Sequence, residues 1–249
     1  MPGARLHVLQ MGAGPPLILL HGWTLDHRQW QPQHPLASHA RLIMPDRRGF
    51  GRSSGPPRLA DEPDDVLALA DALGLARFHL AGLSQGGKVA LAVAARAPGR
   101  LLSLGLIGSA ADVDDVPDDE AIPLAAMRLA AGAGDLAAMR ALWAAHPLTQ
   151  VQQPSARPLL AAMLADYGGA DLLAPASRLA AGPAALAGLE VPVCVMVGAS
   201  DTPWRRAVAA RLAAAAPRGA LHVIAGAGHL ASMDQPGRCN DLLAAMMAA

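Results

Sequence analysis

The sequence predicts an α/β fold: an open, mostly parallel β-sheet flanked by helices and carrying a helical cap insertion. Three observations predict it. Short apolar runs bounded by turn residues alternate with longer stretches of helical pattern. Several of those runs are apolar throughout, as happens when helices cover both faces of a parallel sheet. One long segment, 111–186, holds no strand candidate and only Ala- and Leu-rich helical patterns punctuated by Gly and Pro.

In chain order, strands are expected at Leu6–Gln10, Pro16–Leu20, Arg41–Pro45, Phe78–Leu83, Leu101–Ile107, Val193–Gly198 and Leu221–Ala225. Helices are expected at Glu62–Leu73, Gln85–Arg96, Pro203–Ala216 and Pro236–Met247. The strand-free segment enters through the acidic "ADVDDVPDDE" and leaves through the loop-like "AAGPAALAGLEVP". It is too long for a simple connection and is read as a helical cap laid over the sheet. Residues 1–110 and 187–249 then form the core, and 111–186 the cap.

Composition narrows the function classes. The 249 residues, 53% hydrophobic, suffice for one large core. Twenty basic and twenty acidic side chains balance to zero net charge, so no general pull toward nucleic acid or an anionic membrane follows. Cys194 and Cys239 have no metal or redox spacing and read as buried thiols in a reducing compartment. The first apolar run, Leu17–Leu20, is too short for a signal peptide and follows Gly-Pro breakers. Charges and glycines interrupt the Ala/Leu tract at 121–146, so no membrane span is expected. The expectation is a soluble cytoplasmic protein; its oligomeric state is left open.

The stretch "AGLSQGGKVAL", residues 81–91, admits two readings. As G-x-x-x-x-G-K it is nearly a phosphate-binding loop, but the position that must hold magnesium is Val89. As G-x-S-x-G it places Ser84 at the apex of a strand–turn–helix, between "RFHLAGL" and "QGGKVALAVAARA". The second reading has the context it needs. Likewise "GAGHLA" at 226–231 matches a dinucleotide pattern, yet too little chain follows for the further strand that pattern requires.

A serine nucleophile needs a base, and the base an orienting acid. Asp201 and His229 each lie just beyond a predicted strand, where ligands gather in open parallel sheets. The order Ser84, Asp201, His229 is one known triad order. Asp112, after an earlier strand, is the rival acid. Of the nine histidines, His7, His79 and His222 fall in strand patterns, and His27, His34, His39 and His146 in polar or loop contexts where solvation is expected. No metal-ligand spacing appears, so no metal is expected. For the oxyanion, the backbone N–H of Gln85 and that of Trp23, in "LLHGWTL", are the expected donors, with His21 structural.

The motifs "HGW" at 21, "PDRRGFGRSS" at 45, "GLSQGG" at 82, "VGASD" at 197 and "GAGH" at 226 together resemble the α/β-hydrolase fold family over nearly the full chain. The resemblance implies a cofactor-free esterase-type Ser–His–Asp mechanism beneath a helical cap, with 46–53 a structural turn whose arginines are solvated or paired. It is nearest to small bacterial esterases, enol-lactonases and haloperoxidase-like serine hydrolases. Haloalkane dehalogenases and epoxide hydrolases resemble the chain too, but use an aspartate where Ser84 stands. An ester or lactone is the expected small-molecule substrate. Carbon–carbon bond hydrolysis and perhydrolysis at the same site are alternatives, and a non-catalytic ligand-binding scaffold is the competing class. One strand precedes Pro16–Leu20 where the family commonly has two. Trp23, Trp143, Met127 and Met139 are candidates to line an apolar pocket, and Arg128, Arg140, Arg157 and Arg178 to meet an acidic substrate.

Overall fold

The computed structural model describes residues 3–114 and 120–249. Part of the acidic loop expected at 111–120 therefore lies outside the described residues.

Seven strands form one sheet: β1 (Val8–Met11), β2 (Pro16–Leu20), β3 (Arg41–Pro45), β4 (Phe78–Leu83), β5 (Leu101–Ile107), β6 (Val193–Gly198) and β7 (Gly219–Ile224). Their spatial order is β1-β3-β2-β4-β5-β6-β7. All neighbouring pairs are parallel except β1 with β3. The sheet edge is thus a single antiparallel strand. Two strand bounds differ from expectation because pairing decides them. The first strand is shifted to Val8–Met11 by its register from Val8↔Pro45 to Met11↔Leu42. The last starts earlier, at Gly219, which pairs with Val193.

Side chains alternate across the pleat, so each apolar strand feeds two cores. Leu17, Leu19, Leu42 and Met44 face one, and Ile18, Leu20, Ile43 and Leu80 the other. The second core is covered by α1 (Glu62–Ala72), α2 (Gln85–Arg96) and α7 (Pro203–Ala215). On the opposite face lie α8 (Ala231–Asp234), α9 (Pro236–Ala248) and successive 3₁₀ turns over His27–Ser38. Those turns had no predicted counterpart. Pro32 and Pro35 lie inside them and disrupt helical periodicity, yet Gln29, Trp30, Gln33 and Leu36 are buried. Asp26 caps their start by accepting from the Arg28 N–H at 2.9 Å.

Between β5 and β6 come α3 (Leu124–Gly132), α4 (Leu136–Ala144), α5 (Arg157–Asp166) and α6 (Ala170–Leu173). Gly134, at φ +78°, breaks α3 from α4, and Asp135 caps α4 by accepting from the Ala138 N–H at 2.9 Å. Met127, Met139, Trp143, Leu160 and Met163 turn inward to the first core. Leu179, Ala181 and Leu186 instead pack into the second core with α2 and α7. Among the described residues no helix is long and apolar enough to cross a membrane.

Candidate active site

Strands β2 to β7 deliver their C-terminal ends to one rim, with Leu20 beside Gly82, Leu83 beside Ile107, Ile107 beside Met196 and Gly198 beside Ile224. Ser84 stands where β4 turns sharply into α2. Its backbone is at φ 54°, ψ −116°, a region that costs a non-glycine residue about 1–3 kcal/mol and survives only where neighbours enforce it. The enforcement is visible. The Ser84 N–H donates to Ile107 O at 2.9 Å, and its carbonyl accepts from Lys88 and Ala110 N–H, each at 3.1 Å. A side chain on Gly86 would strike the carbonyls of Leu20 and His21, so only glycine lets the elbow sit this close to β2.

Asp201 follows β6 in a turn closed by its own N–H to Gly198 O at 3.1 Å. One carboxylate oxygen accepts the Thr202 N–H at 2.8 Å. His229 follows β7, and its Nδ1 lies 3.0 Å from Asp201 Oδ2 and 3.2 Å from Oδ1. Both side chains are buried. The pairing assigns the imidazole proton to Nδ1 and leaves Nε2 available to accept. Ser84 and His229 line one cavity, although no direct hydrogen bond joins them among the described residues. Such contacts commonly tighten only when substrate is bound.

Asp112 is held elsewhere. It pairs with Lys88 Nζ at 2.5 Å and accepts the Ala181 N–H at 2.9 Å. The Lys88 contact holds its carboxyl below the usual range against the opposing effect of partial burial. Below Asp201, Arg205 forks onto buried Glu120 with two 2.7 Å bonds, and Thr202 Oγ1 donates to Glu120 Oε1 at 2.9 Å. That cluster fastens the entry of the helical segment to the turn carrying Asp201.

The loop after β2 faces the start of α2 across the cavity. Among the described residues neither the Trp23 N–H nor the Gln85 N–H is spent on a hydrogen bond, and both residues line the cavity. His21 is structural: Nδ1 donates to Gly22 O at 2.8 Å and Nε2 accepts the Arg47 N–H at 2.8 Å. Burial, reinforced by the Arg47 charge, pushes its pKa down to about 3, so it stays neutral as those two roles demand. Arg47 also donates to Gln85 Oε1 at 2.7 Å and lies 3.2 Å from Glu62 Oε2. Of the turn's arginines, Arg47 and Arg48 are buried and paired, Arg48 through a fork onto Asp65.

The cavity holds about 240 Å³. Trp23 and Trp143 line it. Met127 and Met139 do not. Both are fully buried between the helices of the insertion, with Met139 Sδ tight against Gly169. Ile122, Leu148, Leu160 and Leu230 take their place. No sequence signal separates Ile122, Leu148 and Leu160 from other apolar residues of the insertion, because only its packing decides which of them face the sheet rim, whereas Leu230 directly follows His229.

Two histidines also differ from expectation. His146 is buried, with Nε2 donating to Glu120 O at 2.8 Å. His27 is half-buried, and its Nδ1 lies 2.7 Å from Asp46 Oδ1. That hydrogen bond raises its pKa against the cost of burial. His7, His27 and Asp46 are the one group of three possible metal ligands among the described residues. Hydrogen bonds already account for the carboxylate, which takes His27 N, His27 Nδ1 and Arg52 N. Cys194 and Cys239 are buried free thiols, pushed up by burial to about 11 and about 12.

The α/β hydrolase fold family profile matches residues 15–236. A thermophilic esterase from Thermogutta terrifontis superposes with a TM-score of 0.83 at 27% identity, over 98% of this chain and 93% of that one. The enol-lactonase from Burkholderia xenovorans LB400 gives 0.81 at 23% identity, over 99% and 97%, a likeness of fold. A curated relative, the dihydrolipoyllysine-residue acetyltransferase component of an acetoin cleaving system from Pseudomonas putida, is 43% identical over 114 residues. That match spans 43% of this chain and only 31% of the relative's length. With a seven-stranded sheet, a serine at the β4–α2 elbow and a family match from residue 15 to residue 236, the chain belongs to the α/β-hydrolase fold family.

Proposed function

We propose that the protein is a serine hydrolase that cleaves a small, largely apolar carboxylic ester or lactone through an acyl-enzyme. The observation that carries this reading is Ser84, strained at the elbow apex, opening onto the cavity also lined by His229, whose Nδ1 is held by Asp201. His229 Nε2 takes the Ser84 proton as Oγ attacks the substrate carbonyl, and Asp201 stabilises the imidazolium that forms. The carbonyl oxygen becomes an oxyanion bound by the Trp23 and Gln85 N–H groups, helped by the positive end of the α2 dipole. The intermediate collapses, and the leaving alkoxide takes its proton from His229. Water then repeats the sequence on the acyl-Ser84 ester. Trp143, Leu148 and Leu160 give the acyl group its apolar wall. We assign 120–178 to the cap and 179–186 to the return beneath the sheet, since Leu179, Ala181 and Leu186 pack there.

The test is covalent labelling. A fluorophosphonate is expected to add once, at Ser84, and His229→Ala to remove most of that labelling although the serine remains. Ester hydrolysis should be lost by about 10⁴–10⁶ in kcat for Ser84→Ala. An unlabelled protein, inactive on p-nitrophenyl esters, lactones and vinylogous diketones, would make it a binding scaffold instead.

A further inference from the structure

The loop carrying Trp23 is held from outside its own fold element. Trp23 Nε1 donates to Asp171 Oδ2 at 2.6 Å, a contact spanning 148 positions of sequence. The other oxygen of Asp171 accepts the Tyr167 hydroxyl at 2.7 Å, so both oxygens are committed and the carboxylate's direction is set. One residue on, Trp143 Nε1 donates to Thr24 Oγ1 at 2.8 Å. The Trp143 ring also meets the Trp23 ring edge-on, with centroids 4.7 Å apart. Thr24 sits at φ 66°, an outlier for a β-branched residue, which persists only where contacts hold it. Two side chains of the insertion, one from α4 and one from α6, thus grip two consecutive residues of the loop.

We propose that Asp171 is a positioning residue, which with Trp143 fixes the Trp23 backbone N–H where the oxyanion forms, so that the cap builds half of the oxyanion hole. The inference rests on the serine-hydrolase reading above. An oxyanion donor acts through its direction at the transition state, and a shift of a few tenths of an ångström weakens that state more than it weakens the bound ester. An indole tied to a fixed carboxylate removes the freedom for that shift. Asp166, on the same cap, makes a different cap–core contact, to Arg28 at 2.7 Å, and has no link to Trp23.

The experiment compares Asp171→Ala, Trp23→Phe, their double variant and Asp166→Asn on a p-nitrophenyl ester. A trifluoromethyl ketone, which adds to the serine and places an oxyanion in the hole, gives a second readout. Asp171→Ala and Trp23→Phe are each expected to lower kcat by about tenfold or more with KM within about twofold. Ketone affinity should fall by the same factor. The double variant should lose little beyond either single one, because both break one bond. Asp166→Asn should match the wild type. Trp23→Phe keeps the backbone donor and an aromatic ring, so the idea stays testable if Asp171→Ala fails to fold. Wild-type kcat and ketone affinity in Trp23→Phe, or an effect confined to KM, would overturn the inference while leaving the hydrolase reading intact. A wild-type protein without labelling or turnover would overturn both.

Discussion

A β-carbon placed on Gly108 would lie 3.1 Å from Nδ1 of His229 and 3.2 Å from Oδ2 of Asp201. The residue after β5 is therefore the floor on which the His229–Asp201 pair rests. It sits at φ +49°, where a side chain is also strained. Gly108→Ala is expected to separate His229 from Asp201 and to lower kcat by more than about tenfold while the sheet stays folded. Steady-state kinetics with a melting curve checks this; unchanged kcat would mean the pair tolerates displacement.

The acid assignment separates two carboxylates. Asp201 holds His229, whereas Asp112 is bound to Lys88 and the Ala181 N–H. Asp201→Asn should reduce kcat by about 10⁴ because an amide can donate to Nδ1 and favour the wrong tautomer, and the charge that stabilises the imidazolium is lost. Asp112→Asn, whose carboxylate is half-exposed, should stay within about threefold. If Asp112→Asn alone is inactive, the acid has been misassigned.

Stability should depend on pH through Glu62. Burial, outweighing the attraction of Arg47, raises its pKa from 4.5 to about 7. A raised folded-state value means the unfolded chain releases this proton first. The contribution is complete below about pH 4.5 and is lost as pH rises through about 7, on the order of 3 kcal/mol in all. Relative to wild type, Glu62→Gln should therefore gain stability steadily across that window. Chemical denaturation of both proteins at several pH values measures it, and a constant difference would refute the shift.

Acyl preference should follow the cavity wall. Leu160, on α5, is buried and lines the cavity. Leu160→Ala should cost about 2–5 kcal/mol of stability and enlarge the space beside Ser84. The ratio of kcat/KM for a hexanoate ester to that for an acetate ester should rise. An unchanged ratio would place the acyl group elsewhere.

Features whose cause is local are legible in the sequence alone. Apolar runs of strand length, a serine flanked by glycines between a strand and a helix, and acidic and imidazole side chains just past two later strands are all readable within a few residues. Their convergence follows from parallel order, which puts the C-terminal ends of β2 to β7 on one rim. The tertiary structure alone decided what depends on distant neighbours. Met127, Met139, Leu148 and Leu160 are alike in pattern, yet the first two fill the insertion's interior and the others face the cavity. His27 and His146 lie in polar sequence but find buried partners in Asp46 and Glu120. The bond from Trp23 to Asp171 joins residues that no periodicity connects. Periodicity says which side of an element is buried. Which atoms meet there is set by how whole elements pack, a property of the folded chain and not of any segment of it.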